Sequence, residues 1–174
     1  MASTLLQFVH PALEKSRVNR KLLQKARSLE GVTVNDLYER YPDMCVDAKL
    51  EQALMEAHPS VVFQFPMYWY SSPALLKEWF DIVLQYGWAY GGTGKALIDK
   101  RVRIAVTTGG SEKSYSRTGH NRYTMEELLR PLTCTLELCG MRVGEPFFIH
   151  EALHLKSEEL EQAINAYATW LRED

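Results

Sequence analysis

The chain has 174 residues and a mass of 20.0 kDa, about the size of one domain. At 46% hydrophobic and 24% charged it is an ordinary globular sequence rather than a disordered one. A net charge of −2 and a pI of about 6.2 argue against a general nucleic-acid or anionic-membrane binder. Three widely spaced cysteines, Cys45, Cys134 and Cys139, form neither a disulfide framework nor a zinc-ligand pattern, and fit reduced thiols.

The N-terminus has no basic segment before its apolar run, and no apolar stretch is long enough to span a membrane, so the chain is expected to be cytoplasmic and complete. Leu5 to Val9 is a buried first strand ended by His10-Pro11. From Ser16, the residues Val18, Leu22, Ala26 and Leu29 recur at helical spacing, and Gly31 is the stop. Val32 to Leu37 alternates as a second strand, Asp47 to Ala57 is helical, and Ser60 to Phe65 is a third strand ending at Pro66. Ser72 then Pro73 read as an N-cap and first helical position, for a helix burying Leu75, Leu76, Trp79, Phe80, Val83 and Leu84. Residues 87–100 are a loop rich in glycine and aromatics, and Val102 to Thr108 is the fourth strand, closed by Gly109-Gly110. After a polar loop, Thr124 and Glu127 form a capping box, Pro131 kinks the helix they open, and Gly140 ends it. Val143 to His150 is a fifth strand, and Ser157 opens a last helix with Leu160, Ile164, Tyr167 and Leu171 inward. Strands alternating with helices, five of each, predict one α/β domain over residues 1–174, a parallel sheet with helices on both faces.

In such sheets a ligand binds beyond the carboxyl ends of the strands, where strand order reverses. The loops after strands one, three and four are the unusual ones. Ser16 opens a helix whose free N–H groups favour an anion, Ser16 and Asn19 add polar donors, and His10 closes the strand end, which together make a cradle for one phosphate. A cap role alone for Ser16 is the competing reading. Neither a dinucleotide nor a P-loop glycine motif is present. Met67-Tyr68-Trp69-Tyr70 places four large side chains at a strand end, a wall for a flat ring or else a core or interface cluster. Gly109-Gly110 lets backbone approach a planar ligand closely. Together the three loops describe a phosphate pocket beside a ring slot, as flavin mononucleotide (FMN) requires.

With those loops in view, the sequence resembles the flavodoxin-like NAD(P)H:quinone oxidoreductases, and within them the bacterial ancillary quinone reductases of glutathione-gated potassium-efflux systems. The matching stretches are His10-Pro11 with Ser16 and Asn19, LYERYPD at 37–43, FPMYWYSSPALLKEW at 65–79, GWAYG at 87–91, TTGG at 107–110 and NRYTMEELLRP at 121–131. The resemblance implies a flavodoxin-like three-layer sandwich with a five-stranded sheet of order 2-1-3-4-5. FMN, rather than the FAD of longer animal members, would be held by His10, Ser16, Arg17, Val18, Asn19, Pro66, Met67, Tyr68, Trp69, Tyr70, Thr107, Thr108, Gly109, Gly110 and Tyr115. It also implies a ping-pong reaction in which NADH or NADPH gives a hydride to the flavin and a quinone then removes it. Tyr115 and His120 would stabilise charge on the reduced flavin and relay a proton. His120 directly follows Gly119 where relatives have one residue between, so Asn121 and Arg122 remain alternatives for that position. Family members are homodimers, in which the loop bearing Trp88 and Tyr90 would reach the partner's site.

The competing functions are a non-catalytic ancillary subunit of a potassium-efflux membrane protein, which would bring the chain to the inner membrane, and an azo- or nitro-compound reductase. Residues 14–30 hold six basic and two acidic side chains, read as the solvated face of the first helix and alternatively as a surface for an acidic partner or a phosphorylated nicotinamide. His58, His150 and His154 have no partners at ligand spacing, so no metal site is expected, and His150 has a structural role at the sheet edge that carries the site. Cys134 and Cys139 are read as buried small hydrophobes.

Overall fold

The computed structural model describes residues 4–173. Its parallel sheet is built from β1 (Thr4–Phe8), β2 (Val32–Asp36), β3 (Ser60–Pro66), β4 (Arg101–Thr107), β5 (Arg142–Val143) and β6 (Phe147–Ile149). β1 lies between β2 and β3, β4 pairs with the free edge of β3, and β5 and β6 follow one another along the edge of β4. The order is therefore 2-1-3-4-5, with two short strands sharing the fifth position. The continuous strand expected over Val143–His150 is broken at Gly144-Glu145-Pro146, where proline has no N–H for the ladder.

The helices are α1 (Arg17–Arg27), α2 (Leu37–Arg40), α3 (Ala48–Ala57), α4 (Ala74–Val83), α5 (Met125–Leu138) and α6 (Ser157–Arg172). The single turn α2 was not expected. Asp36 ends β2 by turning its carboxylate back to accept the Glu39 N–H at 3.3 Å, so Leu37 starts a helix instead of extending the strand. Pro73, not Ser72, occupies the N-cap position of α4, with no side-chain cap bond, a shift of one residue from the expected start. The Thr124–Glu127 capping box is present with both reciprocal bonds. Pro131 lies inside α5, which continues to Leu138 and ends in a Schellman motif at Gly140, whose φ is +75°.

A fully buried parallel strand presents alternate residues to the two helical layers. Leu5 and Val9 of the first strand region, with Val61, Phe63 and Phe65 of β3, face a core built with α3, α4 and α5, where Trp79 and Phe80 stack edge-on to Phe63. Leu6, Phe8 and Val62 face the second core, built with α1 and α6 around Leu22, Ile164 and Tyr167. Cys139 is buried as expected, whereas Cys134 is exposed: five residues apart, the two fall on different faces of α5, and only one of these meets the core.

Two polar clusters interrupt these apolar layers. On the α3 side, buried Glu51 accepts hydrogen bonds from Gln7, Asn35, Tyr41 and Trp79. On the α1 side, Gln64 lies between Asn19 and Tyr167. No buried side-chain polar atom among the described residues lacks a partner. No helix among them is long and apolar enough to cross a membrane.

Candidate functional site

The carboxyl ends of β1, β3 and β4 converge at one edge of the sheet, and the three loops singled out in the sequence leave it side by side. Ser16 is the N-cap of α1, and its hydroxyl accepts the Asn19 N–H at 3.2 Å. The N–H groups of Arg17 and Val18, in the first turn, have no acceptor among the described residues, so they remain available to an anion. Their side chains point elsewhere: the Arg17 guanidinium donates to the Leu155 carbonyl, and Val18 is in the core.

Asn19 is positioned differently from a donor aimed at a ligand. It is buried, and its amide nitrogen donates to Thr107 Oγ1 at 2.9 Å and to Ser16 Oγ at 3.2 Å. It thereby ties the start of α1 to the end of β4. His10 is 7% exposed and stacks on Phe8, and its Nδ1 accepts the Ala12 N–H at 3.2 Å. Burial lowers its pKa from the ordinary histidine value, against the opposing pull of Glu14. With Nδ1 acting as acceptor, the neutral ring carries its proton on Nε2, which is then a donor.

A second opening, about 310 Å³ in volume, lies between the loops after β3 and β4. Met67, Trp69 and Tyr70 form one side, Gly109, Gly110 and Tyr115 the other, and Ser114, His120 and Asn121 complete it. Tyr115 packs over Gly110, where an added Cβ would come within 3.2 Å of its ring. Burial raises the Tyr115 phenol above its usual range, while an interaction with Thr108 works against that rise. Pro66 and Thr107 are paired at the strand ends beneath the opening.

Trp69 and Tyr70 sit at φ +49° and +62°, between Tyr68 and Ser71, which exchange N–H···O bonds at 2.9 Å in both directions. This is a two-residue turn of the primed type, which ordinarily takes Asn-Gly because bulky residues resist positive φ. The turn holds Trp69 out at 94% exposure and Tyr70 at 50%. Replacing Trp69-Tyr70 by Asn-Gly is expected to raise stability by about 1–2 kcal/mol while removing one wall of the opening. Chemical denaturation checks the first part, and a loss of stability would show that the two rings support the fold rather than the site.

His120 and Asn121 both line the opening, and Tyr70 O–H reaches Asn121 Oδ1 at 3.4 Å. Tyr68 is partly exposed beside the turn. Trp88 donates to Glu56 at 2.6 Å, and Tyr90 lines a groove between α4 and α5, so neither lines the opening of its own chain. Two residues at or beside the opening are not among the sequence-derived site residues. Ser114 had no signal beyond a polar loop, whereas His150 was read as structural, and its ring contacts Thr108 and Tyr115. Among the described residues no cluster of His, Cys, Asp and Glu is arranged to hold a metal.

An anion cradle at a helix N-terminus beside a flat slot, over a 2-1-3-4-5 sheet, defines a flavodoxin-like protein. Residues 2–171 match the model of the flavodoxin-like fold family, and the chain belongs to that family. Within it the chain groups with the ancillary proteins of glutathione-regulated potassium-efflux systems: it is 47% identical to KefG of Yersinia enterocolitica over 168 residues, which is 97% of this chain and 91% of that protein. A solved structure named as a thermophilic tryptophan halogenase from Streptomycin violaceusniger superposes with a TM-score of 0.95 at 41% identity, over 98% of this chain and 99% of that one. General stress protein 14 of Treponema denticola, solved in complex with FMN, gives 0.91 at 38% identity over 97% of both chains. An NADPH-quinone reductase of P. pentosaceus gives 0.90 at 27% identity over 99% of both.

Proposed function

We propose that the chain binds FMN at this edge and works as an NAD(P)H:quinone oxidoreductase. The observation that carries the reading is the adjacency of the two parts: free first-turn N–H groups with His10 at one end, and an aromatic and glycine slot at the other. FMN has a phosphate and a flat ring with matching needs, and Treponema general stress protein 14, 38% identical to this chain, is solved with FMN bound.

In this reading Arg17 and Val18 hold the phosphate through their backbone, and Ser16 and His10 add a hydroxyl and an imidazole N–H. Trp69 and Tyr70 would cover the ring, and the backbone at Gly109-Gly110 would offer its N–H groups to charge that gathers there on reduction. Tyr115 and His120 are the residues placed to stabilise that charge and to move a proton. When bound, FMN would supply reversible two-electron chemistry between NAD(P)H and a quinone. Exposed Tyr86, Ile82 and Leu138, with the α4–α5 groove that Tyr90 lines, support a homodimer in which Trp88 and Tyr90 help complete the site. The second reading is an ancillary subunit docked on a potassium-efflux protein at the inner membrane from the cytoplasmic side, and the names of the KefG relatives favour it.

An absorbance titration tests the first reading. Purified protein given FMN, then anaerobic NADPH, then a soluble quinone should bind flavin, bleach its visible band and recover it. Flavin that binds but is never reduced favours the ancillary reading, and no flavin bound removes the proposal. Tyr115→Phe is expected to slow flavin reduction or reoxidation by roughly tenfold to a thousandfold with FMN retained. Unchanged rates in both half-reactions would take Tyr115 off the list.

A further inference from the structure

The loop after β6 is fastened to the Gly109-Gly110 turn by three backbone bonds. Thr108 N–H donates to Ile149 O at 2.9 Å, Glu151 N–H to Gly110 O at 3.0 Å, and Ala152 N–H to Thr108 O at 2.9 Å. A trans peptide sends its carbonyl and its N–H in opposite directions. Holding Thr108 O on Ala152 therefore aims the Gly109 N–H away from that loop. Glu151 adopts φ +52° within this fastening, a conformation uncommon for a residue with a side chain.

His150 sits in the middle of this lacing and adds a side-chain bond to it. Its Nδ1 is 3.0 Å from Thr108 Oγ1. The Thr108 hydroxyl has one proton, and it donates to Gly110 O at 2.8 Å. With that proton on Gly110 O, the hydroxyl meets His150 as an acceptor, and in this arrangement Nδ1 is the protonated nitrogen. The His150 ring also lies 5.7 Å from the Tyr115 ring at 35°, and Tyr115 in turn interacts with the Thr108 side chain. One imidazole thus meets both the threonine that leads into the Gly109-Gly110 turn and the tyrosine of the slot.

We propose that His150 is a positioning residue of the flavin pocket, which holds Thr108, the Gly109-Gly110 turn and Tyr115 in register and whose protonation tunes the bound ring. The inference rests on the flavin reading above. Its physical core is that Nδ1–H donates to Thr108 whether the imidazole is neutral or cationic. Titration of His150 therefore changes the charge behind the slot without releasing the turn. The charged and titratable groups facing the ring are Glu112 of the 3₁₀ turn Glu112–Ser114, Glu126 of α5, the adjacent Glu151, and Tyr115. The three carboxylates raise its pKa, and burial outweighs them and lowers it, so the ring is neutral at pH 7 and gains its charge as pH falls below the usual histidine range. A cation there favours the reduced, more negative ring, so reduction should become easier as the pH falls.

The test uses full-length protein with FMN. In the wild type, ¹⁵N NMR should find His150 as the Nδ1–H tautomer at pH 7.5, and the rate of flavin reduction by NADPH should rise several-fold as the pH is lowered through the His150 transition. His150→Gln keeps a donor for Thr108 and loses the charge, so it should bind FMN normally and lose that limb of the pH profile. His150→Phe loses both, so it should lose the limb, weaken FMN roughly tenfold and shift the Tyr115 ring resonances. Normal FMN binding with a wild-type pH profile in both variants, or an Nε2–H tautomer in the wild type, overturns the role of His150 and leaves the flavin reading intact. Failure of the wild type to bind FMN overturns the flavin reading itself, and a stoichiometry measurement shows it separately.

Discussion

Replacing Glu51 by alanine is expected to lower the free energy of unfolding by about 3–5 kcal/mol without disturbing any residue of the slot. Glu51 is wholly buried on α3 and acts only as an acceptor. Oε2 takes bonds from Gln7 at 2.9 Å, Asn35 at 3.0 Å and Trp79 at 2.8 Å, and Oε1 from Asn35 at 3.0 Å and Tyr41 at 2.8 Å. These donors come from β1, β2, α4 and the segment after α2, so a single carboxyl group joins elements from much of the first half of the chain. Burial and the bond to Glu51 together push the Tyr41 phenol far above its normal range.

Deleting the acceptor leaves several buried donors without partners, each costing on the order of 1–3 kcal/mol until water enters the gap. That entry is why the total stays below their sum. Glu51→Gln separates charge from shape: it keeps the volume but turns an amide N–H toward groups that are themselves donors, so it should also destabilise, by about 1–3 kcal/mol. Urea unfolding at pH 7 reads both variants. A loss under about 1 kcal/mol for Glu51→Ala would show that the network merely tolerates its own burial, as some buried polar clusters do.

This network also marks what a single sequence does not disclose. The apolar runs of β1, β3 and β4 stand out because strands buried on both faces need nearly every position apolar. The capping box and Gly140 are visible because their chemistry is local. Gln7 and Gln64, in contrast, interrupt those runs, and nothing nearby in sequence explains them: their partners Glu51 and Asn19 lie 44 and 45 residues away. The same distance effect governs the site. The slot's walls were legible from Trp69 to Tyr70 and from Gly109 to Gly110, because aromatics and paired glycines are conspicuous at strand ends. The backward fold of α2 turned on one aspartate choosing an N-cap over a strand. His150 reaches Thr108 across 42 residues, and its partner becomes apparent only when β6 is laid beside β4.

At the other end of the site, the double substitution His10→Ala, Ser16→Ala is expected to weaken FMN binding by about 100-fold or more. Bonds to an ionised phosphate are worth about 1.5–3 kcal/mol each, and two of the proposed donors would be lost together. The Arg17 and Val18 N–H groups would remain, which is why some affinity should survive. Asn19 is left unchanged deliberately. Its amide joins Ser16, Thr107 and Gln64, so Asn19→Ala would loosen the junction of α1 with β4 and confuse binding with folding. Loss of the Ser16 cap alone costs about 1 kcal/mol of stability, small enough for the variant to remain folded. Riboflavin, which lacks the phosphate, is the internal control: its weaker affinity should barely change in the double variant, because the ring slot is untouched. Fluorescence titrations with FMN and riboflavin provide both numbers. If the variant loses the two ligands equally, His10 and Ser16 act on the slot rather than on the phosphate, and the orientation proposed for the flavin would have to be reversed.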